Sequence, residues 1–350
     1  MRGIVAMSGG VDSSVCTYLL KNQGYGLSGV TFKMFSDEYT AVCGSLADAM
    51  DAKSICDKLD IPHYIFDFKE EFKKQVIEPF VVSYQNGLTP NPCIECNRHI
   101  KFKKLFLKAE ELDCGFVSTG HYAIVEFDKS SGRYLLKKAK DKTKDQSYVL
   151  YSLTQQQLAK TVFPLGELTK NEVRDIAAQN NFINAKKPDS QDICFVPDGD
   201  YNKFIEKYTG TPPPYGNFLS TGGQILGRHK GITGYTIGQR KGLGIAFGTP
   251  MYVCTKNKEA NTVTLGEEKE LFSKTLTAND LNFIAFDKLT APLKIKARTR
   301  YNMQEQSAII SPIGGGRVFV EFENPQRAIT AGQAVVFYDS DVVIGGGTIE

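Results

Sequence analysis

A chain of 350 residues, 41% hydrophobic and 23% charged, is long enough for two or three domains, each with its own core. Its 42 basic and 39 acidic residues leave a formal charge of only +3, which excludes a polycationic nucleic-acid binder but leaves room for local basic patches. The apolar run behind Arg2 is cut by Gly9, Gly10 and Asp12, too early for a secretion signal, and nothing approaches a membrane span; a cytoplasmic protein is expected, whose eight cysteines are buried, reactive or metal-binding thiols rather than a disulfide framework.

Residues 3–20 join a short apolar run (Gly3 to Met7), a Ser8-Gly9-Gly10 turn and a helical period at Val11, Val15, Leu19 and Leu20. The pattern predicts a buried strand, a tight turn whose glycines let the backbone approach a ligand, and a helix whose first N–H groups face that ligand. With the hydroxyls of Ser8, Ser13 and Ser14 this forms an anion cradle. The Gly-Lys-Ser/Thr ending of a Walker A loop is missing, so no loop lysine is available and Asp12 stands among the donors. Ser8 to Ser14 resembles the pyrophosphate loop of ATP pyrophosphatases, which adenylate a substrate and release pyrophosphate.

Strands at 27–32, 62–67 and 115–120 alternate with helices at 47–59 and within 69–86. That alternation predicts a parallel sheet with ligands at the carboxyl ends of its strands, where Phe32, Gly120 and His121 fall. His63 and His99 read as surface or packing residues. A Pro90-Asn91-Pro92 loop leads into Cys93-x-x-Cys96 at a helix start, where a thiol pKa falling from ~8.5 to ~6.5 makes thiolate the dominant form at pH 7. Alone, this pair reads as half a zinc site, a redox pair, an iron–sulfur pair or a structural feature, and no second complete set accompanies it.

Residues 122–136 predict a hairpin turning at Ser130-Ser131-Gly132, followed at 137–144 by a lysine run that is either solvated or placed to meet phosphates. Thr169 with Glu172 signals a capped helix. Cys194, between a polar loop and an apolar end, would alone read as a buried thiol. A Thr-, Pro- and Gly-rich break at 209–217 marks the first boundary. Beyond it, a small module carrying Gly227-Arg228-His229-Lys230 and Arg240-Lys241 suits contact with RNA phosphates, and from about Leu271 short alternating strands predict an antiparallel barrel. The expected class is α/β: a parallel-sheet catalytic domain over 1–208, a small central β-rich domain over 209–270 and a C-terminal β-barrel over 271–350.

Together, the Ser8 to Ser14 loop, Asn91-Pro92-Cys93-x-x-Cys96-Asn97, Gly120-His121-Tyr122, Lys144-Asp145-Gln146-Ser147-Tyr148, Ser190-Gln191-Asp192-Ile193-Cys194-Phe195 and Tyr235-Thr236-Ile237-Gly238-Gln239-Arg240 closely resemble the tRNA-specific 2-thiouridylases in order and spacing. The resemblance implies an ATP-pyrophosphatase domain, a small central domain and a C-terminal β-barrel, in an enzyme that replaces the 2-oxygen of the wobble uridine of certain tRNAs with sulfur. It implies ATP and Mg²⁺, with ATP contacted by Ala6, Met7, Ser8, Gly9, Gly10, Val11, Asp12, Ser13, Phe32 and Gly120. Asn91, Pro92 and Cys93 would face the target base, and Lys144, Asp145, Gln146, Arg300 and Tyr301 would contact tRNA. The implied partners are tRNA, not DNA, and a sulfur donor protein that loads a persulfide onto Cys194; Cys96 would free the sulfur by forming a disulfide with Cys194. Many members have Asp where Cys93 stands. A related branch with three cysteines is associated with an iron–sulfur cluster, which makes Cys93, Cys96 and Cys194 candidate ligands of a four-iron cluster. Two rival readings are another pyrophosphatase-loop enzyme, such as an amidating ligase or lysidine-type synthetase, and a catalytically silent RNA-binding protein.

Overall fold

The computed structural model describes residues 1–34, 45–189, 193–196, 198–246 and 248–350. Its N-terminal half carries β1 (Arg2–Ala6), β2 (Gly26–Lys33), β3 (His63–Asp67), β4 (Phe116–Ser118), the hairpin β5 (Ala123–Asp128) and β6 (Arg133–Lys138), and a two-residue edge strand β7 (Thr161–Val162). Five of these form a parallel sheet in the order β3-β2-β1-β4-β7. The order reverses between β1 and β4, and it is at such a switch point that the loops leaving neighbouring strands diverge and open a crevice.

Alternate residues of β1 face opposite layers. Val5 and Met7 pack with Val11, Val15 and Leu20 of α1 (Val11–Asn22) and Ala52 and Ile55 of α2 (Leu46–Lys58). Ile4 packs with the other layer, where Phe72 and Phe80 of α3 (69–85) meet Ile100, Phe102 and Leu105 of α4 (92–111). Both long helices pass through a π segment, Lys73–Ile77 and Cys96–Phe102, a wider turn that costs hydrogen-bond geometry and often marks a site. α5 (Lys170–Gln179) opens with the expected Thr169–Glu172 capping box, and α6 (Tyr201–Thr209) follows.

The central unit pairs β8 (Gly216–Ser220), β9 (Ile225–His229), β10 (Tyr252–Asn257) and β11 (Thr262–Gly266) in the order β10-β11-β8-β9, two antiparallel pairs joined by a parallel β11–β8 ladder. Phe218, Val253, Val263 and Leu265 are its fully buried core. The last unit holds β12 (Phe272–Phe283), β13 (Leu293–Arg298), β14 (Gln306–Gly314), β15 (Arg317–Arg327), β16 (Ala334–Asp339) and β17 (Val342–Ile349). Because β12 pairs with both β15 and β17, these antiparallel strands close into a barrel. The β5–β6 hairpin joins the same sheet through Lys137 opposite Val342, so a piece of the N-terminal half extends the C-terminal one.

Candidate nucleotide and thiol site

The turn after β1 lies at the switch point. Ala6 ends the strand, and Met7 is buried: its N–H donates to Val30, its carbonyl accepts the Thr31 hydroxyl and its sulfur accepts the Thr17 hydroxyl. Gly9 has φ +74°, and a Cβ there would lie 2.3 Å from the Asp48 carbonyl oxygen. Gly10 caps α1 in extended conformation, with no side chain covering the first N–H groups of the helix. The hydroxyls of Ser13 and Ser14 turn back to the Gly10 carbonyl, and Ser13 Oγ is 3.3 Å from the Ser8 nitrogen. Gly120, just past β4, presses against this turn so closely that a Cβ would sit 2.9 Å from Asp12 C and Ser13 N. Phe32 meets Phe68 edge-on, with ring centroids 4.8 Å apart.

Charged side chains from distant parts of the chain converge on the turn. The Asp12 carboxylate accepts from the Tyr122 hydroxyl at 2.7 Å and from Lys170 at 2.7 and 2.8 Å. Lys170 also pairs with Asp189 at 2.9 Å, and Asp189 takes Lys144 at 2.8 Å and Arg174 at 2.9 Å. Burial works to raise the Asp189 carboxyl, but the hydrogen bonds from Lys144 and Lys170 outweigh it and bring its pKa down to about 2. Burial, reinforced by Asp12, pushes the Tyr122 phenol far above its usual range and keeps it a donor. Lys187 bridges Asp48 and Asp51 and reaches the Gly9 carbonyl. Asn184 donates to that carbonyl and to Ser14 Oγ, while its own buried carbonyl oxygen has no partner among the described residues. The sequence reading missed Lys170, Arg174, Asn184, Lys187 and Asp189. The capped helix start at Lys170 and the polar stretch opening at Lys187-Pro188-Asp189 were visible, but nothing in spacing assigns Lys170 to a loop 158 residues away.

Asn91 caps α4 by accepting from the Cys93 N–H at 3.1 Å, as the Pro-Asn-Pro pattern requires. Cys93 is exposed, whereas Cys96 is buried where the π segment begins. Asn97 donates to the Val149 carbonyl, and its own buried carbonyl oxygen has no partner among the described residues. Cys194 is half-buried and packs on the same apolar cluster as Cys96; Ser190, Gln191 and Asp192 of its motif lie outside the described residues. Among the described residues no group of three or more His, Cys, Asp or Glu side chains is arranged to hold a single metal ion. Burial pushes the thiols of Cys16 and Cys56 up to about 12, which leaves them as packing groups. A groove of about 170 Å³ runs beside Pro90, Asn91 and Pro92, bounded by Phe80, Tyr151 and Ala334, and a cleft of about 400 Å³ lies between Asp200–Asn202 and Gly234–Gln239. Neither is lined by the glycine turn.

The residues expected to contact tRNA make internal contacts. Asp145 is buried and accepts from the N–H groups of Ala139 and Ser147 and from the Ser147 hydroxyl. Gln146 exchanges two hydrogen bonds with Tyr122, and the Tyr301 hydroxyl donates to the Asp145 carbonyl. One Arg300 nitrogen donates to the carbonyls of Ile237 and Ala328 and to the Thr330 hydroxyl, tying the central unit to the barrel. In the lysine run, Lys137 pairs with Glu126 and Asp341, Lys138 with Glu305, Lys140 with Glu172 and Lys144 with Asp189. The run is thus mostly a set of ion pairs, whereas Arg228, Lys230, Arg240 and Lys241 of the central unit are exposed.

Comparison with known proteins fits this architecture. Family models described as a tRNA methyl transferase HUP domain, a tRNA methyl transferase PRC-barrel domain and an aminomethyltransferase beta-barrel domain match residues 1–198, 202–267 and 273–349. The chain is 52% identical over 355 residues to the tRNA-specific 2-thiouridylase MnmA 1 of Thermoanaerobacter sp. (strain X514), covering 100% of this chain and 98% of the relative. It is 49% identical over 351 residues to MnmA of Clostridioides difficile (strain 630), covering 99% and 97%. Among solved structures, the U34-tRNA thiolase NcsA of Methanococcus maripaludis with its [4Fe-4S] cluster is similar at TM-score 0.36 and 19% identity, over 59% of this chain and 67% of that one. From its glycine turn to its closing barrel, over its whole length, the chain belongs to the tRNA-specific 2-thiouridylase family.

Proposed function

We propose that the protein is an ATP-dependent tRNA-uridine 2-sulfurtransferase that converts the wobble uridine of its substrate tRNAs to 2-thiouridine, releasing AMP and pyrophosphate. The observation that carries this reading is the uncapped start of α1 behind Gly9 and Gly10, at the β1/β4 switch point of a chain about half identical to 2-thiouridylases from end to end. The units are taken as 1–208 for catalysis, 209–270 for tRNA contact and 271–350 as the barrel.

The carbonyl oxygen at C2 of uridine is a poor leaving group. Adenylation by ATP makes it a good one, pyrophosphate departs, and a sulfur nucleophile then expels AMP. Ala6 to Ser13 would hold the triphosphate on the open N–H groups and hydroxyls of the turn, with Phe32 and Gly120 beside the adenosine. Asp12 and the loop hydroxyls suit Mg²⁺, which would neutralise phosphate charge. The target base leaves its stack to meet Asn91, Pro92 and Cys93. A donor protein loads Cys194 as a persulfide, whose terminal sulfur attacks C2 as AMP leaves. The Cys96 thiolate then attacks Cys194 Sγ, forming a Cys96–Cys194 disulfide and freeing the thiouridine, and a dithiol reductant restores both thiols. The support for this pairing is that Cys96 is buried within, and Cys194 half-buried against, the same apolar cluster. Work in the cytoplasm is consistent with the described residues, where no helix is long and apolar enough to cross a membrane.

The test is incorporation of labelled sulfur into unmodified tRNA, with and without ATP. Incorporation should require ATP, and Cys194→Ser should abolish it while tRNA-dependent pyrophosphate release continues. Sulfur transfer without ATP, or undiminished transfer by Cys194→Ser, would refute the reading.

A further inference from the structure

The glycine turn contains no lysine, yet a polyphosphate bound by backbone amides alone would leave most of its charge unmatched. Among the described residues two lysines reach the turn, and they differ. Lys187 lies on the Asp48 and Asp51 side and touches the turn at the Gly9 carbonyl, an acceptor that faces no anion. Lys170 instead touches Asp12 in the first turn of α1, beside the open N–H groups.

Lys170 is held there from several sides. Its backbone N–H donates to Asp141, the capping box at Thr169 fixes the start of α5, and its side chain, only 9% exposed, lies 5.8 Å from the Tyr122 ring centroid. Its two carboxylate partners do not depend on it alone. Asp12 keeps the Tyr122 hydroxyl, and Asp189 keeps Lys144 and Arg174. Withdrawal of the ammonium toward a third anion would therefore leave neither carboxylate bare, which is the condition under which a buried ion pair exchanges partners at modest cost.

We propose that Lys170 is the phosphate-binding cation of the nucleotide site: it stands in for the lysine missing from the turn and passes from Asp12 and Asp189 to the pyrophosphate portion of ATP. The proposal rests on the nucleotide-binding reading above. It separates two roles, since a phosphate ligand acts on the pyrophosphate end of the nucleotide, whereas a merely structural lysine would affect every ligand of the site together.

The experiment is calorimetric titration of the full-length protein with pyrophosphate, ATP and AMP, without tRNA, for wild type, Lys170→Met, Lys170→Arg and Gly9→Val. One lost charge-assisted contact predicts a roughly ten- to hundredfold weaker affinity of Lys170→Met for pyrophosphate and ATP. AMP affinity should stay within about threefold, and Lys170→Arg should recover most of the pyrophosphate affinity. If the methionine variant does not fold, Lys170→Gln, which still hydrogen-bonds both carboxylates without charge, carries the same expectation. Pyrophosphate affinity that is unchanged in the neutral variant, or that falls in step with AMP, would overturn the assignment of Lys170 while leaving the nucleotide site standing, since wild type still binds; Gly9→Val is read only where circular dichroism shows it folded. Absence of ATP and pyrophosphate binding in wild type would overturn the nucleotide reading and this proposal with it.

Discussion

Substituting Gly9 by alanine should unfold the turn at a cost its neighbour Gly10 does not share. At φ +74° an L-residue pays about 1–2 kcal/mol for the left-handed conformation. The new methyl would lie 2.3 Å from the Asp48 carbonyl oxygen and 2.8 Å from Asp48 Cα. Both are backbone atoms at the start of α2, so relief requires moving the helix or the turn, at the roughly 1–3 kcal/mol typical of an overpacked site. The expected loss is about 2–5 kcal/mol. Gly10 has extended angles of −88° and 163°, and its nearest obstacle is Ser8 Oγ at 3.4 Å, so in Gly10→Ala the unfolded-chain gain of about 0.4–1 kcal/mol is set against a similar loss of N-cap preference, and stability should change by less than about 1 kcal/mol. Urea unfolding of the two variants and wild type measures the difference as a shift in midpoint at constant slope. A turn displaced by about 1 Å should also slow pyrophosphate release about a hundredfold in Gly9→Ala. Coincident unfolding curves for Gly9→Ala and wild type would show that the contact with Asp48 does not constrain the turn.

Three further outcomes can be measured. Lys256 donates to the Tyr235 carbonyl 5.8 Å from the Tyr84 ring, and burial lowers its pKa to about 8. Between pH 8 and about 10.4 the unfolded chain therefore binds the extra proton, and stability should rise with pH by up to about 3 kcal/mol; Lys256→Met should remove that rise and be the more stable protein below pH 8, and identical pH profiles would refute this. Arg300→Met should cost about 1–3 kcal/mol, because it leaves the Ile237 carbonyl without its donor and the Ala328 carbonyl with the Thr330 hydroxyl alone; weakened tRNA binding with unchanged stability would instead mark Arg300 as a direct contact. Replacing Arg240 and Lys241 together by alanine should lower tRNA affinity and reduce the salt slope by about one to two, and an unaltered slope would exclude both from the phosphate interface.

The glycine turn, the alternating strands and the closing barrel were legible in the sequence because each is written in local periodicity and in residues with few conformational alternatives. Thr169 and Glu172 gave a helix start, and the Pro-Asn-Pro loop gave the cap of α4, for the same reason. The lysine run illustrates the limit. Composition showed five lysines within eight residues, but their carboxylate partners come from β5, from Glu172 and Asp189, and from the C-terminal barrel, so pairing could not be told from exposure. Arg300 was expected at the tRNA from the family resemblance, and nothing local to it signalled that it would also donate to the carbonyls of Ile237 and Ala328. The ring of charge about the turn is likewise tertiary: Asp12, Lys170 and Asp189 meet only once the sheet and α5 are assembled.

The hairpin that extends the barrel has a consequence for synthesis. During translation β6 emerges about two hundred residues before the β17 strand it lies against, and until then its outer edge has open N–H and carbonyl groups. The other attachments arrive as late: Arg133 donates to the Ile284 carbonyl, Asn282 to the carbonyls of Tyr151 and Leu153, and Tyr148 to that of Ala334. A nascent or nonsense-truncated chain ending near residue 270 would thus hold a nearly complete catalytic unit with a sticky edge and unfilled apolar seats for the barrel. Such fragments should be chaperone clients and poor stand-alone enzymes, and early stop codons should be recovered as aggregate rather than as partial activity.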